Sequence, residues 1–383
     1  MQPLVPADWY SIIFQSAIIL LALIKILPSK DSEILTAEST QLGTFKALFI
    51  GIILIIFFGI RDPLDINNNF GDTSGYAAFF ELVKNGYLSS SVGNLMSGTL
   101  DTSYEIGFFL IRDFIADCQL DVSIWFTIVA SIYIIPGILG IRLLFPNHTY
   151  LAFLFWICSF GFYGGAVNGL RNADASSLFL WGFAIIMCKD NLRKYWGLVP
   201  YFIAYFFHHS IVILLLSFAA SYLFIKNTNL ALLIWSFAIL MCLLFGNAIA
   251  NFAAGIGLDD RAENYLIGGN DLESMKQSFS NVGFRWDFLL FSAAPIALSY
   301  YVTIVKGYKN KIYQTLLNTY IIANAIWIVF MYASFTNRFA ALSWSLYPFV
   351  LCYPLFKFNI FPKNKNTIAA LCLIGMIIFN IIF

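Results

Sequence analysis

Residues 121 to 144 read "DVSIWFTIVASIYIIPGILGIRLL", an apolar run that carries charge only near its two ends. A helix needs about 20 apolar residues to cross the hydrocarbon core of a bilayer, which is roughly 30 Å thick. Within a membrane each backbone N–H and C=O group must be satisfied internally, and a helix achieves this. The stretch therefore predicts a transmembrane helix.

Apolar runs of membrane length, several of them short, recur along the whole chain. They lie near residues 9–28, 44–60, 121–144, 149–166, 173–188, 195–208, 210–225, 229–250, 286–305, 314–333, 339–356 and 367–383. With 60% hydrophobic and 11% charged residues, and a mean hydropathy of +0.78, the 383-residue chain is too apolar for a soluble domain. We predict an all-α, polytopic integral membrane protein with about 12 transmembrane helices, forming a single transmembrane domain over residues 1–383.

Two long connectors interrupt the apolar runs, at residues 61–120 and 251–285. Long connectors of this kind are usually functional. Within the first, "YEIGFFLIRDFIADC" (104–118) repeats Phe108, Ile111 and Ile115 at helical spacing, which predicts an amphipathic helix lying on the surface. The six cysteines show no metal-ligand spacing and are predicted to be buried thiols. A net charge of +1 without a basic cluster gives no indication of nucleic-acid binding.

The lysines predict the orientation of the chain. The basic connectors "KDNLRK" (189–194), "KGYKNK" (306–311) and "KFNIFPKNKN" (357–366) fall on one side if the predicted spans are correct, and the positive-inside rule makes that side cytoplasmic. The two long connectors and most arginines then face outward. Arginine is preferred where phosphate or carboxylate must be held, so the outer arginines point to anion binding. The alternative is that they pair with acidic residues of the same face.

The stretch "GGAVNGLRNADASSLFL" (164–180) places Asn168, Arg171, Asn172 and Asp174 between apolar segments. The spacing of Asn168, Arg171 and Asn172 predicts one helical face that points into a cavity, and Asp174 could pair locally with Arg171. Ionisable groups beside membrane spans are costly to keep, which favours a functional role. The alternative is a polar turn between two helices.

The motif "GDTSGY" (71–76) lies in the first long connector and contains Asp72, directly after a glycine, and Tyr76. Asp72 precedes a helix-like run, so it could simply cap that helix. It could equally act as a general base or bind a sugar hydroxyl. Tyr76 would share its helical face, four residues further on. Glu105, in the same connector, is a further substrate-binding candidate.

A second group of candidates lies in "YFFHHSIVI" (205–213), where His208, His209 and Ser210 separate two short apolar runs. A histidine can exchange a proton or donate a hydrogen bond to an oxyanion, although a buried histidine that merely satisfies a neighbour is the commoner case. We expect no bound metal, because no HExxH or similar spacing is present. Arg285 and Arg338 lie at the outer ends of two further spans, where they could help to hold a diphosphate.

These motifs together resemble a known family. "GDTSGY", "GFFLIRDF", "VNGLRNADA", "FFHHS" and "NRFAAL" occur in the order typical of EpsG-like and Wzy-type bacterial polysaccharide polymerases, over roughly residues 60–350. The resemblance implies a polyprenyl-diphosphate-linked oligosaccharide substrate, polymerised at the outer face of the cytoplasmic (inner) membrane. Carried over position by position, it points to Asp72, Tyr76, Arg171, His208 with Ser210, and Arg338.

We therefore expect a membrane glycosyltransferase that polymerises O-antigen or capsule repeat units without a cofactor. Its expected partners are a lipid-linked donor and acceptor, membrane lipids and a chain-length regulator. The expected catalytic residues are Asp72, His208 and Arg171, and the expected substrate-binding residues are Tyr76, Glu105, Asn168, His209, Ser210, Arg285 and Arg338. The alternatives are a flippase for the same lipid-linked sugars and an O-antigen ligase. A transporter would show paired half-repeats and ionisable groups at mid-membrane, and neither pattern is visible.

Overall fold

The computed structural model describes residues 5–27, 34–63, 69–97, 105–255, 283–332, 336–358, 360 and 364–382. These residues form helices joined by turns and short connectors, and no strand occurs among them. The described helices, in chain order, are α1 (Ala7–Ile26), α2 (Thr40–Gly59), α3 (Thr73–Lys84), α4 (Ser91–Ser97), α5 (Ile106–Asp117), α6 (Val122–Leu144), α7 (Thr149–Ile157), α8 (Phe162–Val167), α9 (Leu170–Cys188), α10 (Leu198–Phe207), α11 (Val212–Leu223), α12 (Thr228–Gly255), α13 (Trp286–Tyr300), α14 (Lys311–Val329), α15 (Thr336–Trp344), α16 (Tyr347–Lys357) and α17 (Lys365–Ile382).

The membrane character predicted from composition is supported by the lengths of these helices. Eight described helical segments are long and apolar enough to cross a membrane. They are α1, α2, α6, α12, α13 with the π-helical turn that follows it, α14, α15 with α16, and α17. The other four predicted runs also contain helices, but these helices are not among the eight. The four runs are 149–166, 173–188, 195–208 and 210–225.

The run predicted as one span over residues 149–166 is broken. The chain leaves α7 after Ile157 and enters α8 at Phe162, and Gly161 between them has a φ of +87°. A left-handed residue cannot continue an α-helix, and glycine adopts that conformation at little cost. The break therefore shortens both helices and directs the chain towards α9.

The described residues group into two compact units. The first comprises Met1–Val212 and Cys352–Phe383. Its centre is α6, which packs along α2 and α9. Helix α6 contributes the fully buried ring of Trp125. Its Gly137 allows the ring of Trp156 to approach closely, because an added Cβ at this position would lie 2.1 Å from that ring. Small residues of this kind commonly permit tight packing of membrane helices.

The second unit, Ile213–Leu351, is organised around α14. One of its buried side chains, that of Asn324, is satisfied by side-chain hydrogen bonds. Asn324 accepts from Trp235 Nε1 (2.8 Å) and donates to Ser343 Oγ (3.2 Å). In an apolar environment such bonds avoid the cost of an unsatisfied polar group and fix which helix faces meet. The predicted outer connector 251–285 lies mostly outside the described residues.

Helix α5 corrects one prediction. It forms as expected, with Phe108 and Ile115 buried, but Arg112 and Asp113 are buried as well. Arg112 Nε donates to Asp113 Oδ1 (2.5 Å), and Asp113 Oδ2 accepts from the backbone N–H of Ser91 (2.8 Å). These partners satisfy the charges, so α5 packs against α3, α4, α6 and α10 with this pair buried, while Phe114 on the same helix is 60% exposed.

The prediction of six buried thiols is also wrong in part. Cys158, Cys242 and Cys352 are buried, but Cys188 and Cys372 are half-buried and Cys118 is exposed. Cys118 directly follows the last residue of α5, where the chain turns towards α6. The apolar runs that surround most cysteines do not extend to this position.

Candidate functional site

Arg171 is the second residue of α9, which begins at Leu170 after the N-cap residue Gly169. It is only 8% exposed. Its Nε donates to the hydroxyl of Tyr76 (3.1 Å), and its Nη1 forms an ion pair with Glu105. No described residue accepts a hydrogen bond from Nη2. The guanidinium is thus held in a fixed orientation with one nitrogen still available to a ligand.

Glu105 joins two cationic groups. It directly precedes α5, and its side chain is 12% exposed. One carboxylate oxygen binds Arg171, and the other lies 2.5 Å from Nδ1 of His208. Charge-assisted hydrogen bonds are shorter and stronger than neutral ones, and a partly buried setting strengthens them further. Glu105 therefore links α5, α9 and the end of α10.

His208 lies between two helical segments, at the point where α10 ends. It follows Phe207, the last residue of α10, and has an extended backbone (φ −159°, ψ 113°) before the 3-10 turn His209–Ile211. The extended residue turns its side chain towards Glu105, and only 8% of it is exposed. The adjacent His209 instead stacks on Tyr205, with ring centroids 4.8 Å apart, and Ser210 is half-buried in the same turn.

Tyr76 is fixed by aromatic packing. On α3, its ring makes edge contacts with Phe108 (5.5 Å between centroids) and Trp125 (6.2 Å). The Arg171 guanidinium lies 5.7 Å from the centroid of this ring and 5.9 Å from that of Phe109. Contact with aromatic faces favours a cation electrostatically. Phe109 was not among the predicted residues, although the motif "GFFLIRDF" contains it.

Asp72 and Asn168 meet at the start of α3. The backbone N–H of Asp72 donates to Asn168 Oδ1 (2.9 Å), while the Asp72 side chain makes no capping bond to α3 and is exposed. The capping role considered for this carboxylate is therefore wrong. Since Tyr76 lies four residues further along α3, Asp72 is about one helical turn from the Tyr76–Arg171 hydrogen bond.

Two predictions about the Arg171 segment are wrong. Asn168, Arg171 and Asn172 do not share one helical face, because α8 ends at Val167 and α9 begins only at Leu170. Asp174 does not pair with Arg171. Its carboxylate is fully buried, and neither oxygen has a hydrogen-bond partner among the described residues. Glu105, distant in sequence, occupies the place that spacing alone assigned to Asp174.

Arg61 is a supporting residue that spacing did not reveal. It is 1% exposed, with its guanidinium 3.8 Å from the centroid of the Phe126 ring. Its Nε donates to Thr73 Oγ1 (3.1 Å), and the Thr73 hydroxyl donates to the carbonyl of Val167. These bonds tie the start of α3 to the end of α8. They hold the segments that carry Asp72 and Asn168 side by side.

Arg285 and Arg338 belong to the second unit. Arg285 binds Asp287 through two hydrogen bonds, Nε to Oδ1 (3.0 Å) and Nη2 to Oδ2 (2.6 Å), so for this residue the structure shows the local acidic pairing. Arg338 is exposed near the start of α15. Within the described part of the chain, no cluster of three His, Cys, Asp or Glu side chains is placed to hold a metal ion.

The comparisons with known proteins concern most of the chain. A model of the EpsG family matches residues 46–383, a range that includes Tyr76, Glu105, Arg171 and His208. No curated protein and no solved structure matches the chain significantly. Together with the membrane-length helices, the match shows that this chain is a multi-pass membrane protein of the EpsG family, which is associated with polysaccharide biosynthesis.

Proposed function

We propose that this protein is a polysaccharide polymerase that uses lipid-linked substrates. It transfers the glycan of one polyprenyl-diphosphate-linked oligosaccharide to a sugar hydroxyl of a second lipid-linked unit. The observation that carries this proposal is the partly buried group formed by Tyr76, Glu105, Arg171 and His208, which we call the Arg171 cluster. Such a cluster presents oriented donors to an anion at low energetic cost of reorganisation.

In the proposed reaction, the bond between the anomeric carbon and the diphosphate oxygen breaks, and its electron pair leaves with the diphosphate. The acceptor hydroxyl oxygen forms the new bond from the opposite side, so the configuration inverts. Asp72 takes the hydroxyl proton, and His208 donates a hydrogen bond to the diphosphate or a sugar. Because diphosphate is a good leaving group, catalysis requires mainly positioning and charge stabilisation.

Arg171 holds the diphosphate in this scheme. Its Nη2 is available in the described structure, while Nη1 is bound by Glu105. The carboxylate of Glu105 thus orients the guanidinium, and a diphosphate oxygen would accept a hydrogen bond from Nη2. Tyr76, Asn168, His209 and Ser210 would contact the sugars. Arg285 and Arg338 stay proposed substrate-binding residues.

We further propose the membrane setting. The chain crosses the bacterial inner membrane with about 12 spans, and the long connectors and the Arg171 cluster face the periplasm. The sparse charge of the apolar runs and the lysine-rich connectors support this arrangement. A chain-length regulator is the expected protein partner.

Deletion of the gene, followed by analysis of the surface polysaccharide, tests the reaction. A polymerase predicts glycan limited to a single repeat unit, restored to full length by the wild-type gene and not by Arg171→Ala. Complete loss of surface glycan would instead indicate a ligase or a flippase. Purified protein supplied with lipid-linked repeat units should then produce a ladder of longer lipid-linked products, and its failure to do so under any donor concentration would contradict the proposal.

A further inference from the structure

A second polar site lies in the first unit, and it shares no residue with the Arg171 cluster. A cavity of about 380 Å³ opens between the end of α1, the connector before α2, α2 itself and the start of α7. Its polar lining comes from Lys25, Glu38, Lys46 and Tyr150. The proposed reaction uses none of these side chains.

The polar end of this cavity carries more positive than negative charge among its described lining residues. Glu38 Oε1 lies 2.9 Å from Nζ of Lys46 and 3.8 Å from Nζ of Lys25, so one carboxylate faces two ammonium groups. The Lys25 side chain is only 17% exposed. A partly buried charge without full compensation is costly, and a bound anion would relieve that cost.

Glu38 offers a second, complementary contact. Its backbone N–H donates to the carbonyl of Asn147 (2.9 Å), which fixes the residue at the cavity wall. Its Oε2 is buried and accepts no hydrogen bond within the described part of the chain. A buried carboxylate oxygen normally has a donor. A ligand that brings both an anionic group for the lysines and a hydroxyl for Glu38 would satisfy both.

The other wall of the cavity is apolar and faces outward. Phe45 and Phe49 stack along α2 with ring centroids 6.5 Å apart, and they are 67% and 58% exposed. Because α2 is one of the membrane-length helices, these rings would contact acyl chains in a bilayer. The cavity thus joins a charged end to a surface that suits hydrocarbon.

Further positive charge surrounds this end of the unit. Burial lowers the pKa of His148, and the charges of Lys357, Lys365 and Lys25 lower it further, against the opposing effect of its hydrogen bond to the Leu35 carbonyl. These lysines belong to the side that the sequence predicts to be cytoplasmic. Basic pockets between membrane helices on that side commonly bind anionic head groups.

We propose that this cavity binds one anionic glycerophospholipid. Its phosphate lies between Lys25 and Lys46, a head-group hydroxyl donates to Glu38 Oε2, and its acyl chains run along Phe45 and Phe49. The cavity volume suits a head group, while the tails remain in the bilayer. Charge matching and the open apolar wall favour a lipid over a free phosphate ion.

The test uses purified full-length protein in a neutral detergent. We expect phosphatidylglycerol to raise the unfolding temperature and to be retained in native mass spectra, whereas phosphatidylcholine and inorganic phosphate at equal concentration do neither. Equal shifts with phosphatidylcholine, or a full shift with inorganic phosphate alone, would overturn the proposal. This comparison needs no variant, and polymer formation is not its readout, so its failure leaves the proposed polymerase reaction untouched.

Variants then locate the lipid. Lys46→Gln should lower the retention of phosphatidylglycerol by about fivefold, the effect expected for one basic group near a head group. Lys46→Arg, which keeps the charge, should restore it. Lys189→Gln provides the matched control, because Lys189 is an exposed lysine outside the cavity. Unchanged retention in the double variant Lys25→Gln/Lys46→Gln would show that the lipid does not bind here.

Discussion

Arg171 uses two of its nitrogens for two different partners, Tyr76 and Glu105. This geometry requires the planar fork of a guanidinium, since a lysine ammonium is a point charge that cannot reproduce both directions. Arg171→Ala and Arg171→Lys are therefore both expected to lower polymer formation by about 100-fold or more. Quantitative gels of the surface polysaccharide would measure the loss. Arg193→Lys is the matched control, because Arg193 is exposed and outside the cluster, and it should leave the polymer unchanged.

A structural role for Arg171 would give a different result in a double variant. Arg171→Ala leaves the Glu105 carboxylate partly buried without its strongest partner, which is destabilising by itself. The additional change Glu105→Gln removes that charge and should restore protein level. If Arg171 binds the diphosphate, the double variant still makes no polymer. Recovered polymer in Arg171→Ala/Glu105→Gln would assign Arg171 to structure alone.

The identity of the proton acceptor is tested by two conservative changes. The Asp72 carboxylate is exposed and makes no capping bond, so Asp72→Asn removes no helix cap. If Asp72 takes the proton, the variant loses turnover by about 100-fold or more. His208→Gln keeps a hydrogen-bond donor and should cost about tenfold. Turnover by purified variants decides the point, and full activity of Asp72→Asn would remove Asp72 from the mechanism.

For single residues, the sequence identifies functional candidates better than it identifies their partners. Polar groups in an apolar chain stand out, which is why Arg171 and His208 were predicted. Their common partner Glu105 lies 66 residues before Arg171 and 103 before His208, and such pairing depends on how α5, α9 and α10 pack. Spacing instead favoured Asp174, which the helical geometry of α9 turns into the protein interior.

The start of α3 depends on Gly71. This residue has a φ of +58°, and an added Cβ would lie 2.5 Å from the side chain of Asn168. Gly71→Ala should therefore cost about 1–2 kcal/mol of unfolding free energy for the left-handed backbone alone. It should also displace Asp72 from Asn168 and lower turnover by about tenfold or more. Thermal unfolding and polymer assays on the same preparation would measure both effects.

Gly75→Ala is the control within the same helix. No atom lies within 4 Å of the position that its Cβ would occupy. Alanine is a better helix former than glycine by about 0.5–1 kcal/mol, so this variant should be neutral or slightly more stable and fully active. Equal loss of polymer in Gly71→Ala and Gly75→Ala would mean that α3 as a whole, and not its contact with Asn168, is sensitive.

Whole elements were predictable where hydropathy alone decides them. The long apolar helices α2, α6 and α14 follow directly from run length. The break at Gly161 and the burial of Arg112 and Asp113 on α5 did not follow from run length. The burial depends on contacts, because Asp113 accepts from Arg112 and from the backbone N–H of Ser91. Without knowledge of those partners, charged residues in a helix predict that the helix lies on the surface.

For the whole molecule, composition predicts a multi-pass membrane protein. The predicted orientation of the chain depends on the positions of its lysines and arginines. The division of the described residues into two compact units has no signal in the sequence, since no linker or change in composition marks residue 213. The prediction of one domain over residues 1–383 stays a prediction. The orientation, in contrast, can be tested on the unmodified chain.

Cys118 is the exposed native thiol in the connector that we place outside the membrane. A membrane-impermeant maleimide should therefore label wild-type protein in intact spheroplasts, and Cys118→Ser should remove most of that labelling. In the Cys118→Ser background, Asn168→Cys should again be labelled from outside, because Asn168 is exposed beside the Arg171 cluster. Asn191→Cys, equally exposed but in a lysine-rich connector, should react only after the membrane is permeabilised. The reverse pattern would place the Arg171 cluster at the cytoplasmic face, where a polymerase acting on outward-facing lipid-linked glycans could not use it.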